Sequence, residues 1–265
     1  GKTTTLKMLS GILYPTKGEA TVMGFIPWER PKDYRQQFSI IMGQRNQLWW
    51  ELPPLDTFRL HQALYAIPDA IFQARLDELV TLLDITHVIH VPTRNLSLGE
   101  RMKCEIVASL LHAPKILFLD EPTIGLDVVS QRKIREFLRM YNAKYWVTIL
   151  LTSHYMQDVE SLCERVIMID DGKIVYDGSV ALLKQEYAEE KDIRLTFTEF
   201  IPQDKLASYG KVVNYDDGFS ATVRVHHQEV REKTARILSE LPVQDITISE
   251  ESLESVIASL FLKKS

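Results

Sequence analysis

Lys115-Ile116-Leu117-Phe118-Leu119-Asp120-Glu121-Pro122 is a run of four apolar residues that ends on two carboxylates. With Pro114 before it and Pro122 after it, the run has the length of a strand buried on both faces rather than that of a helix. Such strands belong to parallel sheets, which bind ligands at the carboxyl ends of their strands. Four apolar residues followed by Asp120-Glu121 form a Walker B pattern, in which the first carboxylate is expected to sit near a Mg²⁺ ion and the second beside a water that it could polarise as a general base. By itself the pair also reads as an ordinary acidic strand-to-turn corner.

Upstream, Leu96-Ser97-Leu98-Gly99-Glu100 opens a helix with Leu98, Met102, Ile106 and Leu110 at fourfold spacing. Ser97 followed three residues later by Glu100 is a capping box. A capped helix start is also a phosphate site, with N–H groups and the positive end of a dipole, and the two readings are compatible. Residues 38–42 read as a strand ended by Gly43-Gln44, and residues 50–112 as mostly helical, interrupted by Pro53, Pro54, Pro68 and Pro92. A turn at Pro15-Thr16-Lys17-Gly18 precedes a short strand expected over 20–23.

At the start, Gly1-Lys2-Thr3-Thr4-Thr5 opens a helix with Leu6, Leu9, Ile12 and Leu13 on one face. Gly1, Lys2 and Thr3 match the last three defined positions of the phosphate loop G-x-x-x-x-G-K-[ST], where Lys meets the β/γ-phosphates and the hydroxyl meets Mg²⁺. Alone, G-K-T is also a common surface sequence. Residue 1 is Gly rather than Met, so the chain is expected to be truncated inside this loop, without the N–H groups that wrap the phosphates.

Downstream, a helix is expected over 129–140 and a core strand from about Trp146 to Leu151, followed by Thr152-Ser153-His154. A helix over 156–162 and a strand over 166–169 come next, then a short strand and a helix to residue 187. Buried strands alternating with helices indicate a parallel α/β sheet, with Gln44, Asp120, Glu121 and His154 at strand ends. Taken alone, His154 reads as a neighbour of a helix cap.

The charged stretch 186–192 reads as a linker. Beyond it the pattern changes. Phe219, Ala221, Val223 and Val225 alternate, as do Ile246 and Ile248; Val230, Thr234, Ile237, Leu238 and Leu241 mark a helix face. A last helix carries Leu253, Val256, Ile257, Leu260 and Phe261 on one stripe. This is the grammar of a small α+β domain.

The 265 residues are 45% hydrophobic with 31 Lys+Arg against 36 Asp+Glu, a net −5 that argues against nucleic-acid binding by bulk charge. No apolar run is long enough to span a bilayer, so a membrane role requires another subunit to span it. Cys104 and Cys163 lack ligand spacing, which disfavours a zinc site or a disulfide framework and makes a reducing compartment the default.

Together, L-S-L-G-E-R-M from Leu96 and I-L-F-L-D-E-P-T-I-G-L-D ending at Asp127 resemble the nucleotide-binding subunit of an ATP-binding-cassette (ABC) transporter, a P-loop NTPase with a helical signature subdomain. The resemblance covers residues 1–187, with the helical subdomain at about 50–112, and leaves 188–265 as an accessory domain. It implies that Gly1, Lys2, Thr3 and Thr4 end Walker A, Gln44 is the Q-loop glutamine, and Ser97 and Gly99 are the signature positions that touch a γ-phosphate. It further implies that Asp120 and Glu121 are Walker B, Asp127 lies in the D-loop and His154 is the switch histidine. The implied catalytic residues are Glu121, His154 and Gln44; the implied Mg²⁺ residues are Thr3, Gln44 and Asp120. Leu98 and Glu100 stand where Gly and Gln are commoner in the signature, and no adenine-stacking aromatic can be assigned.

Gln44-Arg45-Asn46-Gln47-Leu48-Trp49-Trp50 is similar to ATP-binding subunits of ABC-2-type exporters, as is the compact C-terminal domain. The resemblance implies ATP and Mg²⁺ as ligands and a homodimer that closes on ATP. It also implies transmembrane permease partners and attachment to the cytoplasmic face of the membrane through them. Trp49 and Trp50 are either buried or line the groove for a permease helix. The alternatives are a DNA-maintenance ATPase, a translation factor, or a fragment inactive because Walker A is incomplete. The 53-residue step from Gln44 to Ser97 holds no sustained heptads, against the long coiled coils of the first, and the single cassette argues against the second.

Overall fold

A computed structural model describes residues 1–43, 46–187 and 190–262. The chain divides into two compact units, one of residues 1–163 with 168–175 and one of residues 164–167 with 176–265.

In the first unit, helix α1 (Lys2–Leu9) begins at Gly1 with no capping side chain. Helix α2 (Lys32–Arg35) leads into β1 (Phe38–Met42). Three helices follow, α3 (Pro54–Leu64), α4 (Asp69–Leu82) and α5 (Leu98–Leu110), then β2 (Ile116–Asp120), α6 (Val128–Tyr145), β3 (Thr148–Thr152) and α7 (Met156–Leu162). The three strands form one parallel sheet in the order β1-β2-β3. Every residue of β2 is buried, as its unbroken apolar run requires. Met42 pairs with Asp120 and Asp120 with Thr152, so the three carboxyl ends finish level. Phe58, Leu76, Ile85, Ile106, Phe137 and Leu138 are part of one continuous core that draws α3 to α6 together with the sheet.

Three expectations are corrected here. Residues 20–23 form no strand: Val22 and Phe25 make a single antiparallel bridge around a turn in which Met23 and Gly24 both take positive φ. Strands β4 (Arg165–Asp170) and β5 (Lys173–Ser179) form a separate two-stranded sheet rather than extending the parallel one, and β4 is mostly unburied. Trp146 does not begin a core strand. It sits in the left-handed C-cap of α6, its N–H donating to the Asn142 carbonyl at 2.8 Å, and its side chain projects outward at 88% exposure.

In the second unit, α8 (Val180–Tyr187) is followed by β6 (Glu190–Phe197), α9 (Gln203–Leu206), β7 (Lys211–Asp216), β8 (Ser220–His226), α10 (Val230–Glu240), β9 (Val243–Glu250) and α11 (Leu253–Leu262). The sheet runs β7-β8-β6-β9 with antiparallel neighbours, the β-α-β-β-α-β arrangement of ferredoxin-like folds. Ile193, Leu195, Phe197, Ala221, Val223 and Val225 form its inner face against Ile237 and Leu241. The charged stretch is not a linker throughout: Glu190, Lys191 and Asp192 belong to β6. There Asp192 pairs with Arg224 at 2.7 Å and Lys191 with Glu250 at 2.9 Å, so charge neutralised across strands sits within the sheet.

Candidate nucleotide site

The level ends of β1, β2 and β3 bring distant residues into contact. The Thr3 hydroxyl on the first turn of α1 donates to Asp120 Oδ1 at 3.0 Å, and the Thr152 hydroxyl donates to the same oxygen at 2.6 Å. Lys2 Nζ lies 3.5 Å from His154 Nδ1. His154 in turn holds both oxygens of Glu121: its backbone N–H donates to Oε2 at 3.0 Å, and its Nε2 lies 3.2 Å from Oε1. Residues 2–3, 120–121 and 152–154 thus meet at one end of the sheet.

Two backbone features hold this group. Glu121 has φ of 54°, and its N–H donates to the Thr152 carbonyl at 3.0 Å. A buried non-glycine residue in the left-handed region costs about 1–3 kcal/mol and persists where its surroundings over-determine it, as at functional sites. Gly43 donates its N–H to the Asp120 carbonyl at 2.8 Å, and a Cβ on Gly43 would collide with the Glu121 carbonyl oxygen. Glycine is needed there for close approach of two backbones. Gln44, the next residue, lies outside the described residues.

The arrangement has the donors a magnesium nucleotide needs. Gly1 offers no capping side chain to the start of α1, and no acidic residue lies in its first turn, which favours the approach of an anion to that turn and to Lys2. Thr3 and Asp120 supply one hydroxyl and one carboxylate, the oxygen set a Mg²⁺ ion takes when phosphates and waters complete its shell. Among the described residues no cluster of three or more His, Cys, Asp or Glu side chains forms a dedicated metal cage. Thr4 lies on the same first turn of α1.

A second group forms at the start of α5. Ser97 caps the helix: its Oγ accepts from Glu100 N–H at 3.2 Å, and Glu100 Oε2 accepts from Ser97 N–H at 2.8 Å. These bonds, with the Ser97 hydroxyl, hold the Glu100 carboxyl below the usual range. Gly99 packs against Ser130, and a Cβ there would collide with that side chain. Asp127 caps α6, accepting from the hydroxyl and N–H of Ser130 at 2.6 and 2.9 Å, and these bonds lower its pKa. Among the described residues, the side-chain hydrogen bonds of Ser97 and Asp127 join members of this second group, and those of Thr3, Asp120 and Glu121 join members of the first.

Trp49 and Trp50 are 52% and 48% exposed, so neither burial nor the mixed arrangement describes them; the Arg101 guanidinium lies 5.1 Å from the Trp50 ring centroid. Sequence reading missed the fully buried Asp158, which binds Thr123, Ser153 and Arg135 beneath the first group. An acidic residue in the first turn of a helix is commonplace, so it carried no distinguishing signal.

Residues 1–124 match the family described as ABC transporter, and residues 189–249 match the EvrA-like ABC transporter C-terminal domain. The ABC transporter ATP-binding protein NatA of Bacillus subtilis is 32% identical over 191 residues, covering 72% of this chain and 77% of NatA. The linearmycin resistance ATP-binding protein LnrL of the same organism is 29% identical over 196 residues, covering 74% of this chain and 62% of LnrL. A solved ATP-binding subunit of an ABC transporter superimposes with a TM-score of 0.63 at 26% identity, covering 71% of this chain and 77% of that one.

Proposed function

Given that the chain belongs to the ATP-binding proteins of ABC transporters, with an ABC ATPase fold and an EvrA-like C-terminal domain, we propose that it binds ATP with Mg²⁺ at the Thr3–Asp120 end of the sheet and hydrolyses it to ADP and phosphate. The 3.0 Å contact between Thr3 and Asp120 carries the reading, because it sets the uncapped start of α1 over the two strand-end carboxylates. A bound Mg²⁺ ion would supply neutralisation of phosphate charge.

The chain's own groups divide the remaining work. Lys2 and the N–H groups of α1 bind the phosphates, with Gly1 and Thr4 at the same turn. Thr3 and Asp120 hold the ion, with Gln44 as a further ligand and a positioner of water. Glu121 orients the attacking water and takes its proton. His154 would hold the γ-phosphate, a role that its contacts with both Glu121 and Lys2 support. Ser97, Gly99 and Asp127 form a group apart from these, which supports their facing the nucleotide of a second copy in a head-to-tail homodimer. ATP would then close that dimer, and hydrolysis reopen it.

We read residues 1–187 as the nucleotide-binding domain, and 188–265 as the accessory domain. No helix among the described residues is long and apolar enough to cross a membrane, so transport would need permease subunits that hold this chain at the cytoplasmic face. The exposed Trp49 and Trp50 support a docking groove there. Export is the direction favoured by the resistance function in the name of LnrL.

Glu121→Gln in the full-length protein tests the reading. It keeps the shape of the side chain and removes the base. Turnover should fall about 10²-fold or more while ATP binding persists and ATP now holds a dimer on size exclusion. Normal turnover would refute Glu121 as the base.

A further inference from the structure

Asp158 is fully buried in the first turn of α7, and both its oxygens are engaged. The hydroxyls of Thr123 and Ser153 donate to Oδ2 at 2.5 and 2.6 Å, and Arg135 donates to Oδ1 at 2.9 Å. Arg135 is itself nearly buried. A packing role alone would be met by an apolar side chain, without the cost of taking a carboxylate and a guanidinium out of water.

The three partners belong to three parts of the machinery. Thr123 lies two residues after Glu121, and its carbonyl accepts from the Gln131 side chain of α6 at 3.3 Å. Ser153 immediately precedes His154, and its Oγ accepts from the Tyr155 N–H at 2.9 Å, which fixes the loop on the far side of the histidine. The His154 N–H holds Glu121 Oε2. Arg135 stands two turns along α6 from its cap Asp127, the residue grouped with Ser130 and Gly99.

We propose that Asp158 is a positioning residue: one buried carboxylate locks the loop that carries His154, and through it the Glu121 carboxylate, to the helix that begins at Asp127. It touches no nucleotide. It sets the orientation of the two groups that act on the attacking water, and ties that orientation to the part of α6 that reaches the Ser97 group. The inference rests on the proposed roles of Glu121 and His154.

Its consequence is selective: loosening the junction should slow turnover without weakening ATP binding. Three mild variants leave the carboxylate in place: Thr123→Val removes one of its hydroxyl donors, Arg135→Lys loosens the ion pair, and Ser153→Ala removes the other donor together with the acceptor of the Tyr155 N–H. In the full-length protein each should lower kcat by about tenfold, the scale of a sub-ångström misplacement of catalytic groups, with the ATP dissociation constant changed less than about twofold. Ser153 and Arg135 meet through Asp158, so the Ser153→Ala/Arg135→Lys double variant should lose about tenfold rather than about a hundredfold. Thermal midpoints are measured for all four. The proposal is overturned if kcat is unchanged, if ATP affinity falls in step with kcat, if the double variant shows the full product of the single losses, or if activity merely follows the folded fraction. Glu121→Gln runs in the same assay. If it leaves turnover intact, the catalytic reading has failed; if it stops turnover while the Asp158 neighbours have no effect, only the positioning role has.

Discussion

The group around Asp120 and the group around Ser97 both sit at the start of a helix, yet they are held in opposite ways. The first joins residues more than a hundred positions apart: Thr3 to Asp120, and Lys2 to His154. It exists only because three parallel strands end level. The second is built from bonds spanning three residues, Ser97 with Glu100 and Asp127 with Ser130. The first helix start is uncapped and the second is capped. An uncapped start leaves donors for a ligand, whereas a capped one meets part of its own need and adds rigidity. Long-range placement therefore makes the phosphate and metal end, and local capping makes a preformed surface.

The largest effect should come from a buried carboxyl on α5. Glu105, eight residues after Ser97, accepts the Gln47 N–H at 3.3 Å, and burial pushes its pKa up to about 7. Its other oxygen has no partner among the described residues. Because the folded-state pKa is raised, the unfolded chain releases this proton first. Stability is therefore lost as pH rises from about 4.5 to about 7 and levels off above that. Glu105→Gln should remove this loss, gaining about 3 kcal/mol relative to the parent between pH 4.5 and 8. Urea titrations at both pH values measure it; a pH-independent difference would show that Glu105 is not buried in this way.

Next in size is Gly43→Ala, which attacks the long-range group alone. The added methyl meets the Glu121 carbonyl, so β1 and β2 must separate at their ends, at a cost of about 2 kcal/mol. Turnover should fall while the Ser97 cap stays intact. Denaturant midpoints together with kcat check this, and a variant of parental stability and rate would mean the two backbones can part freely.

Smallest is Ser97→Ala, which attacks the local group alone. Loss of the cap should cost about 1 kcal/mol, and Ser97→Thr should restore most of it. Thermal unfolding reads the difference. An equal loss from Ser97→Thr would show that something other than the cap bond matters at that position.

The same division between local and long-range contacts explains what was legible in the chain. The Ser97–Glu100 box and the strand at residues 116–120 were readable because a cap is a three-residue pattern and a strand buried on both faces is an unbroken apolar run. Where an element's fate hung on a distant neighbour, the pattern misled. Residues 20–23 have strand-like composition but, among the described residues, pair only through the Val22–Phe25 bridge. Trp146 precedes an apolar run, but the left-handed end of α6 turns it outward. For Trp49 and Trp50 the sequence left burial and exposure open, and only the fold leaves them half exposed.

By itself, then, the sequence determined the longer helices of the first unit, the Ser97 cap, the three apolar strands, and the residue types that meet at strand ends. Only the tertiary structure decided that Thr3 touches Asp120, that Gly43 passes against Glu121, and that Asp158 gathers Thr123, Ser153 and Arg135. Caps and strand runs depend on neighbours within a turn or two, where backbone geometry alone fixes distances. The site depends on the register of parallel strands and on a buried charge that must find its partners, and both are settled only when the whole core closes.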